Sequence, residues 1–378
     1  MNPPTRASAS RSRAVAKTLA ARPVEDSGLP PRLISALHAQ GVTTWGQWAE
    51  SVAAPAVLSD VAKGSPEWAQ EDAEWLRRLA VYVRDDLRGE AAPLSFVQWL
   101  ELFLPSRWLK AVQVRRALDR EGDALPLHDR PLCQVGEELG VTRERARQLL
   151  ESAQRILSAP LAQEAARPLY ASARRTLLAA GGGMTPAEWT AAVAAAPLWS
   201  GASPSGALLW LSNLVPDGIG VYRKVFVALP DALIGDLDGF LHGMIHQMGT
   251  LVTLQMLAQR FPLLDRFPEI HDLEPFLALL ARQSSECLLT RDGRVGLCSR
   301  DASSLLREIL LAVAPTASAS EGMPLTALTE AFHARVVPES QRGRGQIRTW
   351  ALADPWIQRV APDRFALLPG YQPTLFET

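Results

Sequence analysis

The chain has 378 residues, 47% hydrophobic and 21% charged, which suits about two to four folded domains and excludes wholly disordered, collagen-like and prion-like classes. The formal net charge is −1, so contact with a polyanion has to come from local patches rather than from a generally basic surface. The longest apolar runs, Phe276–Ala281 and Ile309–Ala314, fall far short of the ~20 residues of a membrane span. With no apolar leader and only Cys133, Cys287 and Cys298, a reducing cytoplasmic setting and no membrane partner are expected.

Residues 1–24 carry Arg6, Arg11, Arg13, Lys17 and Arg22 with no acid before Glu25, the composition of a disordered basic tail. From about residue 28 apolar residues recur at helical spacing, and the pattern divides into a helical domain over 25–90 and a second over 91–162. Then a rhythm of helices followed by a short hairpin occurs three times, over 163–232, 233–300 and 301–369. In the first, a helix over Glu164–Ala180 stops at Gly181-Gly182-Gly183. Thr185-Pro186-Ala187-Glu188 is a capping box, a helix follows over Ser205–Leu214, and Gly220–Leu229 alternates as a strand. The second has helices near Asp236–Met248, Leu251–Arg260 and Asp272–Gln283. Its hairpin turns on Asp292-Gly293 between Cys287 and Cys298. The third has helices over Ser303–Ala314, Thr326–Arg335 and Gln346–Ala353, a loop at Pro315–Gly322, and strands at Trp356–Val360 and Arg364–Leu367. Residues 370–378 form a C-terminal tail.

The segment 131–160 is the most informative. Leu132, Val135 and Leu139 give a short helix one apolar face, and Gly140 can take the left-handed conformation that ends it. Gly136 is small where another element could cross closely. Thr142 is a good N-cap and Glu144 suits the first turn of the helix that follows. That helix places Ala146, Leu149, Leu150, Ala153 and Leu157 on one side and Arg143, Glu144, Arg147, Gln148 and Glu151 on the other. Two short helices about a tight glycine turn make a helix-turn-helix, and its second helix carries side chains that reach base edges: Arg pairs with guanine, Gln with adenine, Glu with the cytosine amine.

Leu132, Val135-Gly136, Val141-Thr142-Arg143-Glu144-Arg145, Arg147-Gln148, Ala153, Arg155 and Pro160 together resemble region four of bacterial primary sigma factors. The resemblance is clear over about 30 residues, with Leu109–Asp123 as the preceding helix. It implies binding of double-stranded DNA in the major groove of an upstream promoter element, with Thr142, Arg143, Glu144, Arg145, Arg147 and Gln148 at that family's contact positions. RNA polymerase is then an implied partner. The chain departs from the family at Ala146 and Leu150, and at Ser152, Ile156 and Ser158, where cations are usual. Fewer cations mean weaker, less salt-sensitive binding. Nothing resembles the aromatic helices with which sigma factors melt DNA, so a working sigma factor is not expected. A degenerate helix-turn-helix that only packs is the competing reading.

Over 29–48, Leu29, Arg32, Leu37, Gly41-Val42, Thr44 and Gly46 resemble the C-terminal domain of the RNA polymerase alpha subunit, a helix–hairpin–helix module. The resemblance implies that Arg32 enters the minor groove, although Ala53–Leu87 lacks the second glycine-rich hairpin. Three helices and a hairpin in about 65 residues resemble a winged helix. The expected fold is therefore mainly α: a helix-turn-helix plus tandem winged-helix domains with short β-hairpin wings. In the third repeat Arg342, Arg344 and Arg348 cluster at the recognition position, which suits DNA contact; a solvated loop is the alternative. The third helices of the first two repeats, with runs such as Gly206-Ala-Leu-Leu-Trp210-Leu, have little to read a base with and are expected to pack on each other or on a partner. Gln372, Leu375 and Phe376 resemble the terminal peptide that docks in the bacterial sliding clamp; folding back on the protein itself is the alternative.

His242 and His246 have the spacing of a zinc helix, but Gly243 replaces the glutamate such a site needs, and structural histidines are the simpler reading. No phosphate-binding loop or nucleophile elbow occurs. Tryptophans such as Trp45/Trp48 and Trp99/Trp108 suit core packing. The sequence thus predicts a cofactor-free, non-enzymatic DNA-binding protein of the nucleoid, with transcription regulation as its role. The rival is a DNA-recognising or scaffolding subunit of a bacterial defence, mobile-element or repair complex.

Overall fold

The computed structural model describes residues 20–51, 66–116, 118, 130–214, 218–229, 231–261, 272–313, 321–369 and 371. Most of the expected basic tail, most of the Pro315–Gly322 loop, and Gln372, Leu375 and Phe376 lie outside the described residues. The protein is mainly helical, with small three-stranded antiparallel sheets. Helices α1 (Pro31–Ala39), α2 (Trp45–Ser51), α3 (Pro66–Arg88), α4 (Phe96–Phe103) and α5 (Ser106–Arg116) lead to α6 (Leu132–Leu139) and α7 (Arg143–Leu157). One order of elements then recurs: helix, short strand, helix, helix, hairpin. Its first instance is α8 (Pro160–Ala179), β1 (Gly183–Met184), α9 (Pro186–Val193), α10 (Pro204–Leu214), β2 (Gly220–Tyr222) and β3 (Val225–Val227). The second is α11 (Asp231–Met248), β4 (Val252–Thr253), α12 (Leu254–Arg260), α13 (Glu274–Gln283), β5 (Cys287–Leu289) and β6 (Arg294–Leu297). The third is α14 (Cys298–Val313), β7 (Met323–Pro324), α15 (Leu325–Arg335), α16 (Arg344–Ala353), β8 (Ile357–Ala361) and β9 (Arg364–Leu367).

Each sheet has the last hairpin strand in the middle: β1-β3-β2, β4-β6-β5 and β7-β9-β8. The sequence pattern anticipates the hairpins but not their third strands, because two residues are too few to show alternation. Their register is plain in the structure, Val252 facing Val295 and Met323 facing Phe365. The expected single strand over Gly220–Leu229 is instead two strands. The chain turns at Arg223 and Lys224, both at positive φ (44° and 68°), a turn without the glycine that would have marked it.

The chain divides into two compact units, Met1–Thr176 with Thr185–Val221, and Leu177–Met184 with Tyr222–Thr378. The first repeat is therefore shared between them. In the first unit, tryptophans form the core. Trp45, Trp75, Trp99, Trp189 and Trp199 are fully buried, and Trp189 meets Trp199 edge-on at 5.0 Å. Burying an indole N–H without a partner is costly, and here Trp75 donates to the Leu102 carbonyl, Trp99 to that of Ala162 and Trp189 to that of Pro204. The expected tail does not extend to residue 24: Pro23 bridges Thr44, and Val24 is completely buried. Helices α1 and α2 bury Leu33, Leu37, Trp45 and Trp48, and α2 packs on the long α3. The capping boxes at Ser95/Gln98 and Thr185/Glu188 fix the starts of α4 and α9.

In the second unit, Arg291 donates to the Val336 carbonyl and Ser340 Oγ accepts from the Leu289 amide, so the second hairpin is tied to the chain after α15. Asp301, 1% exposed, accepts from the Leu297 amide at 2.7 Å and pairs with Arg300.

Candidate nucleic-acid interface

The turn between α6 and α7 follows from two glycines. Gly140 ends α6 at φ 67° with open space around it, so glycine is there for its backbone freedom. Gly136 is there for closeness. A Cβ on it would lie 2.7 Å from the Val141 carbonyl oxygen, which sits over α6 because the Val141 amide bonds back to the Gly136 carbonyl at 2.9 Å. What crosses closely at Gly136 is thus the turn itself and not another helix. Thr142 then caps α7, its hydroxyl accepting from the Arg145 amide at 3.2 Å.

Inward from the turn, Val135 and Ala146 pack with Val114 of α5, with Leu139 and Val141 at the edge. Ala146, Leu149, Ala153, Ile156 and Leu157 are buried. This inward face fixes the outward one: Thr142, Arg143, Glu144, Arg145, Arg147, Gln148 and Glu151 are all exposed. The guanidinium-bearing side of α7 faces away from the body of its unit, and the first two turns present the residues that the sequence singles out.

The electrostatics of this face are more balanced than its arginines suggest. Arg147 donates to both oxygens of Glu144, at 2.6 and 3.0 Å, and also pairs with Glu151. The bonded Arg147 guanidinium holds the Glu144 carboxyl below the usual carboxylate range, and the two carboxylates push Arg147 up in turn. Arg145 donates to Gln148 at 3.2 Å. Arg130 is held by Glu138 at 2.6 Å. Between 130 and 158 five arginines meet four glutamates, so the local excess of positive charge is small. The pairing of Arg147 is legible in the i,i+3 and i,i+4 spacing of Glu144, Arg147 and Glu151. Separate contacts in the sequence, Glu144, Arg147 and Glu151 form one clamp in the structure.

The remaining predicted residues are placed differently. Arg32 is exposed on the first turn of α1. Nearby Gly28 packs against Arg155 and Ala159, at the far end of α7 from Thr142 and about 18 Å along the helix from Arg143. Its module therefore lies against the C-terminal end of α7, away from the exposed N-terminal turns. The Arg342–Arg348 cluster is only partly assembled. Arg342 is turned inward, donating to the carbonyls of Glu339, Gln341 and Ser285 and lying 3.3 Å from the Cys298 sulfur. These bonds tie the guanidinium to its own unit. Arg344 and Arg348 are together on α16, but both lie near Asp363 of the third hairpin's turn, at 3.4 and 3.7 Å. The third helix of the first repeat, α10, is buried from Ser205 to Leu211 and packs on α5 and α9 within its unit. It has no face to offer a groove. His242 lies 3.8 Å from Asp238 and 3.9 Å from Glu286.

Comparison of the chain with protein-family models, with curated proteins and with solved structures finds no match.

Proposed function

We propose that the protein is a sequence-specific double-stranded DNA-binding protein, a transcription regulator that lays the first turns of α7 in the major groove. The observation that carries this reading is the outward set Arg143, Glu144, Arg145, Arg147 and Gln148 on a helix fixed from behind by Val135, Ala146 and Val114. These side chains hold both donors and acceptors, which is what direct reading of base edges requires. The capped α7 N-terminus adds amide donors suited to a phosphate. The resemblance of 131–160 to sigma region four points the same way.

In this reading the three repeats are winged helices. Support comes from their common order of elements and from the strand that precedes the second helix and pairs with the far hairpin strand. They are not equivalent: α16 carries Arg344 and Arg348, whereas α10 is buried. That burial favours a second role for the first repeat, as scaffold rather than reader.

Selection from a random duplex library by the purified chain tests the proposal. A regulator enriches one motif. Binding that stays weak and unselective, with a protein partner retained through purification, would instead identify a scaffolding subunit.

A further inference from the structure

The outward face of α7 is bonded within itself, and the pattern of those bonds decides what it has left to offer a base pair. Arg147 donates to both oxygens of Glu144, at 2.6 and 3.0 Å, and to Glu151. Arg145 donates to the side-chain oxygen of Gln148 at 3.2 Å, and the Gln148 amide group bonds to the Glu144 carboxylate in turn. The Thr142 hydroxyl oxygen is taken by the Arg145 amide. Each residue of this face that carries a side-chain acceptor, Thr142, Glu144, Gln148 and Glu151, is thus engaged by a neighbour on the same helix. Arg143 is different. It is exposed, and its guanidinium makes no hydrogen bond among the described residues. A guanidinium has five N–H donors and no acceptor.

A duplex would tighten this arrangement rather than open it. In the groove, a carboxylate released from its arginine would face two rows of phosphates. A pair enclosed away from water is also stronger than the same pair exposed to it. The base edges then sort themselves. In the major groove guanine shows two acceptors, N7 and O6. Adenine and cytosine each show an amino donor that needs an acceptor in return, and thymine shows one acceptor beside a methyl group. A face with guanidinium donors to spare and its acceptors spent internally matches guanine.

We propose that α7 reads with donors alone: Arg143 meets guanine, whereas Glu144 and Gln148 hold Arg147 and Arg145 in place and read neither cytosine nor adenine. The target is then a duplex site built on G·C pairs, in which adenines are not recognised by α7. This departs from what the residue types suggest one by one, glutamine for adenine and glutamate for cytosine. It rests on α7 being the DNA-reading helix and names the class of duplex that helix selects.

The test uses the full chain and the duplex it enriches from a random library, prepared unmodified, with 7-deazaguanine in place of guanine, and with 7-deazaadenine in place of adenine. Affinity should fall about tenfold or more on the first substitution and less than about twofold on the second. Glu144→Ala then decides the role of the carboxylate. If it only neutralises Arg147, the variant should bind the enriched duplex more tightly, by up to about eightfold at ~0.1 M salt, because the freed guanidinium gains a phosphate. If it reads cytosine, the variant should bind about tenfold more weakly. Glu144 is exposed, so the Tm of the variant should stay near that of the native chain. Indifference to deazaguanine, a comparable loss on deazaadenine, or weaker binding by Glu144→Ala would each overturn the inference; if Arg143→Ala still weakens binding, α7 stands as the reading helix. A chain that enriches no motif, or whose affinity Arg143→Ala leaves intact, would overturn the reading of α7 and this inference with it.

Discussion

Replacing Glu151 with glutamine keeps the shape of the α7 face and removes one negative charge from it. Glu151 holds one side of Arg147 and Glu144 holds the other. On a duplex, each phosphate neutralised adds about 0.9 to the slope of log K against log salt. Arg143, Arg145 and Arg155, the exposed arginines outside the clamp, give a slope near −3 on that count. Releasing Arg147 from one carboxylate should steepen the slope by up to about 0.9, which at ~0.1 M salt corresponds to binding tighter by about eightfold. The Tm should hardly move, because an exposed ion pair contributes little to stability. Fluorescence anisotropy of a labelled duplex across a salt series measures both quantities. A Glu151→Gln protein with the same slope and the same or weaker affinity would show that Arg147 does not meet the phosphates, and the proposed face would be misplaced.

Other substitutions test the frame around this face. Gly136→Ala should cost about 1–3 kcal/mol, because its Cβ would press on the Val141 carbonyl, whereas Gly140→Asn should be nearly silent in a position that asks only for the left-handed conformation; denaturant melts that rank them the other way would contradict the turn geometry. Asp301→Ala should destabilise the second unit by about 3 kcal/mol, since it strands the Leu297 amide and Arg300, and chemical denaturation reads this directly. Burial, with Glu164 adding to it, raises the Asp86 carboxyl above its ordinary range. A group raised in the fold lends stability at pH below its unfolded pKa and loses it as pH rises through the folded one, so Asp86→Asn should raise the Tm at pH 7 and give no gain below about pH 3.5. A pH-independent Tm difference would remove that account.

The elements were legible in the sequence where local chemistry fixes them. Gly140, Thr142 and the Thr185/Glu188 box each set a helix end through their own backbone or side-chain bonds, and the structure places those ends where the residues indicate. Asp292-Gly293 marked its hairpin for the same reason. What was not legible depends on partners distant in sequence. The two-residue strands β1, β4 and β7 exist only because another strand lies beside them. Arg342 reads as an exposed cation in sequence, yet its partners Ser285 and Cys298 are more than forty residues away. The buried α10 was recognisable as apolar on all sides, but not as part of the body that carries α5.

The most direct measurement is affinity for a selected duplex in which the guanines of the bound site are replaced by deazaguanine, which lacks the N7 acceptor of the major groove, compared between the native chain and the Arg143→Ala/Arg147→Ala double variant. Major-groove reading by α7 predicts that the native chain loses about tenfold or more on the altered duplex and that the double variant, already weak, loses no more. Native binding indifferent to the missing N7, or a double variant that binds the unaltered duplex as well as the native chain, would contradict it.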